Sequence, residues 1–422
     1  MQNSVILLVF FLTYLGLAAG RLPWFQVDRT GIALLGAIAL LGTQAVTLDD
    51  VGGSIDVSTI VLLFALMIIS AQFLSAGVYD LCADWITAKH SGPTSLLVLT
   101  VAVCGALTAL LANDIVVFAM APLLIAGARA RGYDPRPFLI ALVTASNAGS
   151  AATLMGSPQN IYIGQIGNLS FHTFLAACGV PAVFALVVVF GVIWYQWHNR
   201  VGLGGPVPAG DIPEVPRHPF DRAQAIKALA ALVALLVLFT TDLPREIGGL
   251  MIAALLLASR KITSRTMIAA VDWPLLLLFV CLFAITGALA QSGLAYQFIS
   301  SLGDSGLLPD HLAVLTPFAL VMSNLFGNVP SVILLLQVWP NPPEGALYGL
   351  ALLSSLAGNF LLLGSFANLI VVERANHFGV HIRFSEYARA GIPITIISMA
   401  FAILWLAWTG WLPWGPPGPM AE

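Results

Sequence analysis

Between Ser4 and Leu412 the chain returns repeatedly to apolar stretches, most of them about 17 to 25 residues long. Stretches of that length span a ~30 Å hydrocarbon core as α-helices. Barrel strands would be nearer 10 residues, with alternating polarity. The pattern therefore predicts an all-α polytopic membrane protein. Only 9% of the 422 residues are charged, against about 25% in soluble domains. A net charge of −3 points away from a nucleic-acid partner and leaves the lipid bilayer as the expected one. Cys82, Cys104, Cys178 and Cys281 show no CxxC or Cys/His spacing and read as buried or lipid-facing thiols. The first run, 4–20, ends in "LAAG" but lacks the basic n-region of a signal peptide, so it reads as a helix.

Spanning helices are expected near 4–20, 30–48, 57–78, 138–166, 172–197, 224–241, 246–259, 272–293, 345–373 and 391–412. Two further apolar stretches, 95–128 and 312–339, have polar centres and are expected to return to the side they enter from. With the N-terminus outside, this topology puts 16 of the 17 basic residues on one face and leaves only Arg245 opposite. Basic residues collect in cytoplasmic loops, so the expectation is a bacterial inner-membrane protein with both termini periplasmic. Residues 198–223, rich in Gly and Pro, read as a flexible cytoplasmic linker between an N-terminal repeat (1–197) and a C-terminal one (224–422).

The two parts resemble each other. "LSAGVYDL" (74–81) answers "AQSGLAYQF" (290–298), "LLANDIVV" (110–117) answers "LFGNVPSV" (325–332), and "MGSPQN" (155–160) answers "LGSFAN" (363–368). Each part holds five crossings, an odd number, so the second copy is expected upside down. Inverted repeats with interrupted segments meeting near the bilayer midplane are the plan of a secondary transporter. Broken backbone at that depth survives only where protein or a water-filled cavity satisfies it.

Each repeat is expected to hold one re-entrant hairpin (95–128, 312–339) and one broken helix (138–166, 345–373). In the first hairpin, arms of 96–112 and 115–127 would reach only ~26 and ~20 Å, short of a full span. The tips fall at Asn113-Asp114 and Gly327-Asn328. Asp114 is the one carboxylate placed deep in an apolar segment, where charge is expensive. It caps the second arm, or holds Na⁺ or exchanges a proton, or does both. Ser146, Ser150, Thr153 and Ser157 share one helical face beside Gly156 and Asn160. These oxygens suit Na⁺, while small residues there also permit close helix packing. Packing is the preferred role for Ser146, and ligand binding for Ser157 and Asn160. In the second copy Gly364, Ser365 and Asn368 keep the pattern, and Asn359 adds an amide. No Lys or Arg lies in the four interruptions, so an anionic substrate is expected to be held by amides, helix N-termini and the coupling cation. His377 and His381 read as part of an interfacial loop, and "LPWF" (22–25) and "WLPWGPPGP" (411–419) as aromatic anchors.

At these motifs the sequence resembles the ion-transporter superfamily. That group includes arsenite/antimonite permeases, citrate–metal symporters, NhaD-type sodium/proton antiporters and divalent-anion/sodium symporters. "ANDIVVFAMAPLL" (112–124) looks like the hairpin of the arsenite permeases, and "NAGSAATLMGSPQN" (147–160) is similar to the Gly-(Ser/Thr)-Pro-x-Asn break of many members. "GNVPSVILL" (327–335) and "AGNFLLLGSFANLIVVE" (357–373) look like the second-half counterparts of an anion-permease branch. The resemblance implies that Asn113, Gly156, Asn328 and Gly364 line a shared site, with Na⁺ near Asn113, Asp114 and Gly156. It also implies elevator-like movement and, in many members, a homodimer. The symporters' Ser-Asn-Thr tip triplet reads Ala112-Asn113-Asp114 and Gly327-Asn328-Val329 here, so only the Asn matches.

The expected function is ion-coupled transport of a small anion or oxyacid, with arsenite-type efflux ahead of a sodium/carboxylate symporter and a Na⁺/H⁺ antiporter. A channel, the rival of another class, would conduct without coupling. No phosphate loop, no nucleophile with a nearby base and no HExxH is present, so neither an enzyme nor a cofactor is expected beyond a coupling Na⁺ or H⁺.

Overall fold

The structure is a computed structural model and describes residues 2–20, 27–87, 92–198, 215, 217–241, 243–339 and 341–416. Every regular element among them is helical. The first ten helices are α1 (Gln2–Ala19), α2 (Arg29–Gly42), α3 (Leu48–Ser54), α4 (Val57–Ser75), α5 (Val78–Ile86), α6 (Pro93–Leu110), α7 (Asn113–Arg129), α8 (Arg136–Ser150), α9 (Pro158–Ile166) and α10 (Phe171–Trp197). Ten more follow in the same order: α11 (Arg222–Leu238), α12 (Arg245–Leu257), α13 (Ser264–Ala269), α14 (Trp273–Gln291), α15 (Leu294–Asp304), α16 (Leu312–Phe326), α17 (Asn328–Val338), α18 (Glu344–Ala357), α19 (Phe366–His377) and α20 (Phe384–Trp408).

Local chemistry repeats with the order. Asp56 and Asp272 cap α4 and α14, each accepting from the N–H three residues on, at 2.8 and 3.0 Å. Gly77 and Gly293 end α4 and α14 with φ of 70° and 76°, a left-handed turn that favours glycine. Packing crosses between the copies in matched pairs: α2 lies on α14 and α4 on α12, while α7 lies on α19 and α17 on α9. Six helices among the described residues are long and apolar enough to cross a membrane: α1, α4, α6, α10, α14 and α20.

Three features differ from the sequence-based expectation. The short helices α3, α5, α13 and α15 stand where only loops or helix ends were expected. With 6 to 11 residues they are too short for a hydropathy pattern to register. The hairpin arms α6 and α7 have 18 and 17 residues, so length alone does not make 95–128 re-entrant. Its tip instead seats on a helix break: the Asn113 N–H donates to the Gly156 carbonyl at 3.3 Å. The linker's end is anchored rather than free. The Asp221 N–H donates to Ala76 O at 3.1 Å, and Lys261 holds the Asp221 carboxylate at 2.8 Å, which pulls its pKa below the ordinary carboxylate range. Residues 199–214 and 216, and the aromatic anchor at 22–25, lie outside the described residues.

α6 and α8 cross at close range. A Cβ on Gly149 would stand 2.3 Å from the Gly105 carbonyl oxygen. Gly191, also helical, has open space where its Cβ would go. Gly149→Ala should therefore destabilise the protein by about 1–3 kcal/mol, the usual cost of overpacking. Gly191→Ala should leave stability unchanged or slightly raised. Thermal unfolding of the two purified variants checks this, and equal midpoints would contradict the packing.

Candidate functional site

The site grows from two helices that stop in mid-course. α8 ends at Ser150 and α9 restarts at Pro158, while α18 ends at Ala357 and α19 restarts at Phe366 after a 3₁₀ turn at Leu362–Gly364. Each gap strands carbonyls that would otherwise bond within a helix. One asparagine per copy collects them. Asn160 donates to the carbonyls of Ser150 and Thr153, both at 3.1 Å. Asn368 donates to those of Gly358 at 2.8 Å and Leu361 at 3.2 Å. All three positions in one set lie 208 residues from their counterparts in the other. Ser157 and Ser365 repeat the same extended backbone, φ −144° and −141°.

The hairpin tips close against these gaps. Gly156 has no side chain because a Cβ would stand 2.5 Å from Ser150 O. The Thr153 hydroxyl donates to Ala109 O on the hairpin arm. In the second copy Asn324, at the position equivalent to Ala109, does this work with its side chain: its oxygen accepts from the Leu361 N–H at 3.1 Å and its nitrogen donates to Ala357 O at 3.0 Å. Asn328, with its amide oriented to satisfy both partners, donates to Gly364 O at 2.8 Å and Ser354 O at 3.2 Å.

A polar seam joins the two gaps. Asn147 donates to Asn359 Oδ1 at 2.9 Å and Asn368 Oδ1 at 3.1 Å, and its own oxygen accepts from the Ser365 hydroxyl at 3.0 Å. Asn359 donates back to Thr144 O at 3.1 Å, and Gln159 donates to Ser355 Oγ at 3.3 Å. Asn359 thus belongs to the seam rather than to a tip. Ser150 donates to Asn147 O at 3.1 Å, within its own helix. Around the first gap, Asn113 Oδ1, Ser157 Oγ, Asn160 Oδ1 and Ser146 Oγ are buried with no protein hydrogen-bond partner.

Asp114 is 8% exposed and lines a cavity of ≈ 760 Å³ together with Asp272, Glu373, Arg374 and His377. It therefore has a second carboxylate nearby, at the cap of α14. A narrower recess places both aspartates beside Ser157. Arg374 stacks on Phe118 at 3.5 Å from the ring centroid. His381 bonds Asn376 at 2.8 Å, and no group of three metal-ligating side chains occurs among the described residues.

No Lys or Arg lies within the four interruptions, but Arg29 reaches the second one from outside it. It opens α2, is 3% exposed, and donates from Nη2 to Leu363 O at 3.0 Å, inside the second gap. Its guanidinium lies over the Phe366 ring at 5.5 Å. The sequence placed it in a surface loop because α2 was expected from 30 to 48. The helix has only 14 residues, about 21 Å, so its first residue need not sit at the membrane surface. Asn147, Asn324 and Asp272 were also missed. The 208-residue and 216-residue spacings, applied beyond the obvious motifs, would have flagged Asp272 opposite Asp56 and Arg29 opposite Arg245.

Helices that break in pairs, with hairpin tips seated in the breaks, define a membrane transporter. The citrate transporter family profile (CitMHS) matches residues 7–345, and the chain belongs to that family. It is 30% identical to the 46 kDa membrane protein of Mycobacterium leprae, over 96% of this chain and 99% of that one. It is 25% identical to the silicon efflux transporter LSI3 of Oryza sativa subsp. japonica, over 90% and 93% of the two chains. Its fold is similar to that of the YdaH transporter of Alcanivorax borkumensis, with a TM-score of 0.58, 14% identity and coverage of 98% and 100%.

Asn147→Ala should leave Asn359 and Asn368 oxygens without a donor and cost about 1–3 kcal/mol, the penalty of orphaned buried groups. Denaturant unfolding in detergent measures this. An unchanged midpoint would show that the seam adds nothing to stability.

Proposed function

We propose that the protein is an ion-coupled secondary transporter of a small anion or oxyacid, and that the two tip-and-gap pairs form its transport site. The observation that carries this is Asp114: a buried carboxylate at a hairpin tip, facing Asp272 across a cavity, beside oxygens that have no protein partner. Carboxylate, amide and hydroxyl oxygens are hard ligands suited to Na⁺, and a carboxylate also exchanges protons. Asn113, Asp114 and Ser157 form the coupling-ion end in this reading. The cavity runs toward Arg374, which the charge rule puts on the cytoplasmic side, and this supports reading it as an inward-facing vestibule in an inner membrane with both termini periplasmic. The matched packing pairs and the odd number of crossings support two inverted repeats, 1–197 and 224–422, with an elevator-like movement.

Two substrate classes are in play. The family's name supports a carboxylate such as citrate, and the rice relative's name supports an uncharged oxyacid, the chemistry that arsenite shares at neutral pH. Cells lacking their own arsenite efflux and citrate uptake systems separate them. Wild-type protein should lower arsenite accumulation or raise citrate accumulation. Asp114→Asn, inserted at the wild-type level, should abolish the effect by removing the ionisable group. Full transport by that variant would rule out the carboxylate as the coupling group.

A further inference from the structure

A guanidinium carries five N–H donors and no acceptor. Buried away from water, it is costly unless those donors are met. Arg245, the residue 216 positions after Arg29, shows how a structural arginine is accommodated in this fold. It donates to Leu169 O at 2.8 Å and Gly164 O at 3.4 Å, and lies over Phe239 at 5.3 Å. Arg29 holds the equivalent place at the start of α2 but keeps only the Leu363 carbonyl. Its Nε and Nη1 are buried without a hydrogen-bond partner.

Of these, Nη1 lies beside the second tip. Nη1 lies 3.1 Å from where a Cβ on Gly327 would stand. Gly327 has φ +96° and ψ 160°, a conformation reserved for glycine. Without a side chain at Gly327 the guanidinium comes close to the backbone that leads into α17, which begins at Asn328 and runs for 11 residues. A helix N-terminus directs unpaired N–H groups and positive potential outward. Guanidinium and helix end thus converge from two elements on one point.

We propose that Arg29 is the anion-recognition residue of the second tip, and that the substrate bound there bears a charged oxyanion group, a carboxylate or an inorganic oxyanion, rather than being an uncharged oxyacid. The two tips then carry opposite charge: Asp114 and Asp272 receive the cation, while Arg29 with the α17 N-terminus receives the anion. A planar fork suits two oxygens of one group, which a lysine cannot reproduce. This assignment rests on the reading of the tips as the transport site.

Two measurements on purified full-length protein test it. Wild-type protein is heated with sodium citrate, sodium succinate, sodium sulfate or arsenious acid, against sodium chloride at equal ionic strength. At least one of the first three should raise the unfolding temperature. Arg29→Met should lose that shift, and Arg29→Lys should need roughly tenfold more anion to show it. In the second measurement phenylglyoxal labels wild-type arginines, with mass spectrometry as the readout, so no variant has to fold. The stabilising anion should slow labelling of Arg29 and leave Arg217 unaffected. A wild-type response to arsenious acid alone, a full shift in Arg29→Met, or equal Arg29 labelling with and without anion would each overturn the assignment. Transport that still depends on Asp114 would then preserve the wider reading, whereas loss of all transport in wild type would remove both.

Discussion

The constraint from which the rest follows is that a peptide group in hydrocarbon must find its partner inside the protein. A helix that stops half-way strands several carbonyls, each costing as much as a lost buried hydrogen bond or more. Here the cost is met by two asparagine side chains, Asn160 and Asn368, reaching back across their own gaps to carbonyls 7 and 10 residues earlier. With those carbonyls satisfied, the gaps can exist. With the gaps in place, the hairpin tips have something polar to close against. Asn113 and Asn328 make those closures, one through its backbone N–H and the other through its amide.

The equivalence of the copies is physical before it is evolutionary. A break of given shape needs the same glycine, serine and asparagine at the same steps, so the chemistry recurs even where neighbours diverge. The copies differ at the tips themselves. Asp114 stands at one tip and Val329 at the other, while Ala109 in one copy is answered by Asn324 in the second. Arg29 and Arg245 begin equivalent helices, yet one meets two carbonyls and the other one.

Much of this was legible in the sequence. Apolar runs fixed the helical class, because run length maps directly onto bilayer thickness. The motifs at Asn113, Gly156, Asn328 and Gly364 marked the gaps, because glycine, proline and amides are improbable in a lipid-facing helix without a purpose. Contacts between distant segments were not legible. Arg29 reads as a loop residue until the shortness of α2 is known, and Asn147 reads as one polar residue in a small-residue helix until Asn359 and Asn368 are placed opposite it. The short helices α3, α5, α13 and α15 escaped because two or three turns leave too little periodicity to distinguish from a loop.

The central claim is that the tips form a site for coupled transport rather than a passive pore. Reconstitution into proteoliposomes tests it most directly, with an imposed inward Na⁺ or proton gradient and no other driving force. The account predicts that substrate is driven away from its equilibrium distribution when one of those gradients is present, inward if it moves with the ion and outward if it exchanges for it, and that the displacement collapses when the gradient is dissipated. Substrate that merely equilibrates at the same rate with or without either gradient would contradict it and mark the protein as a channel.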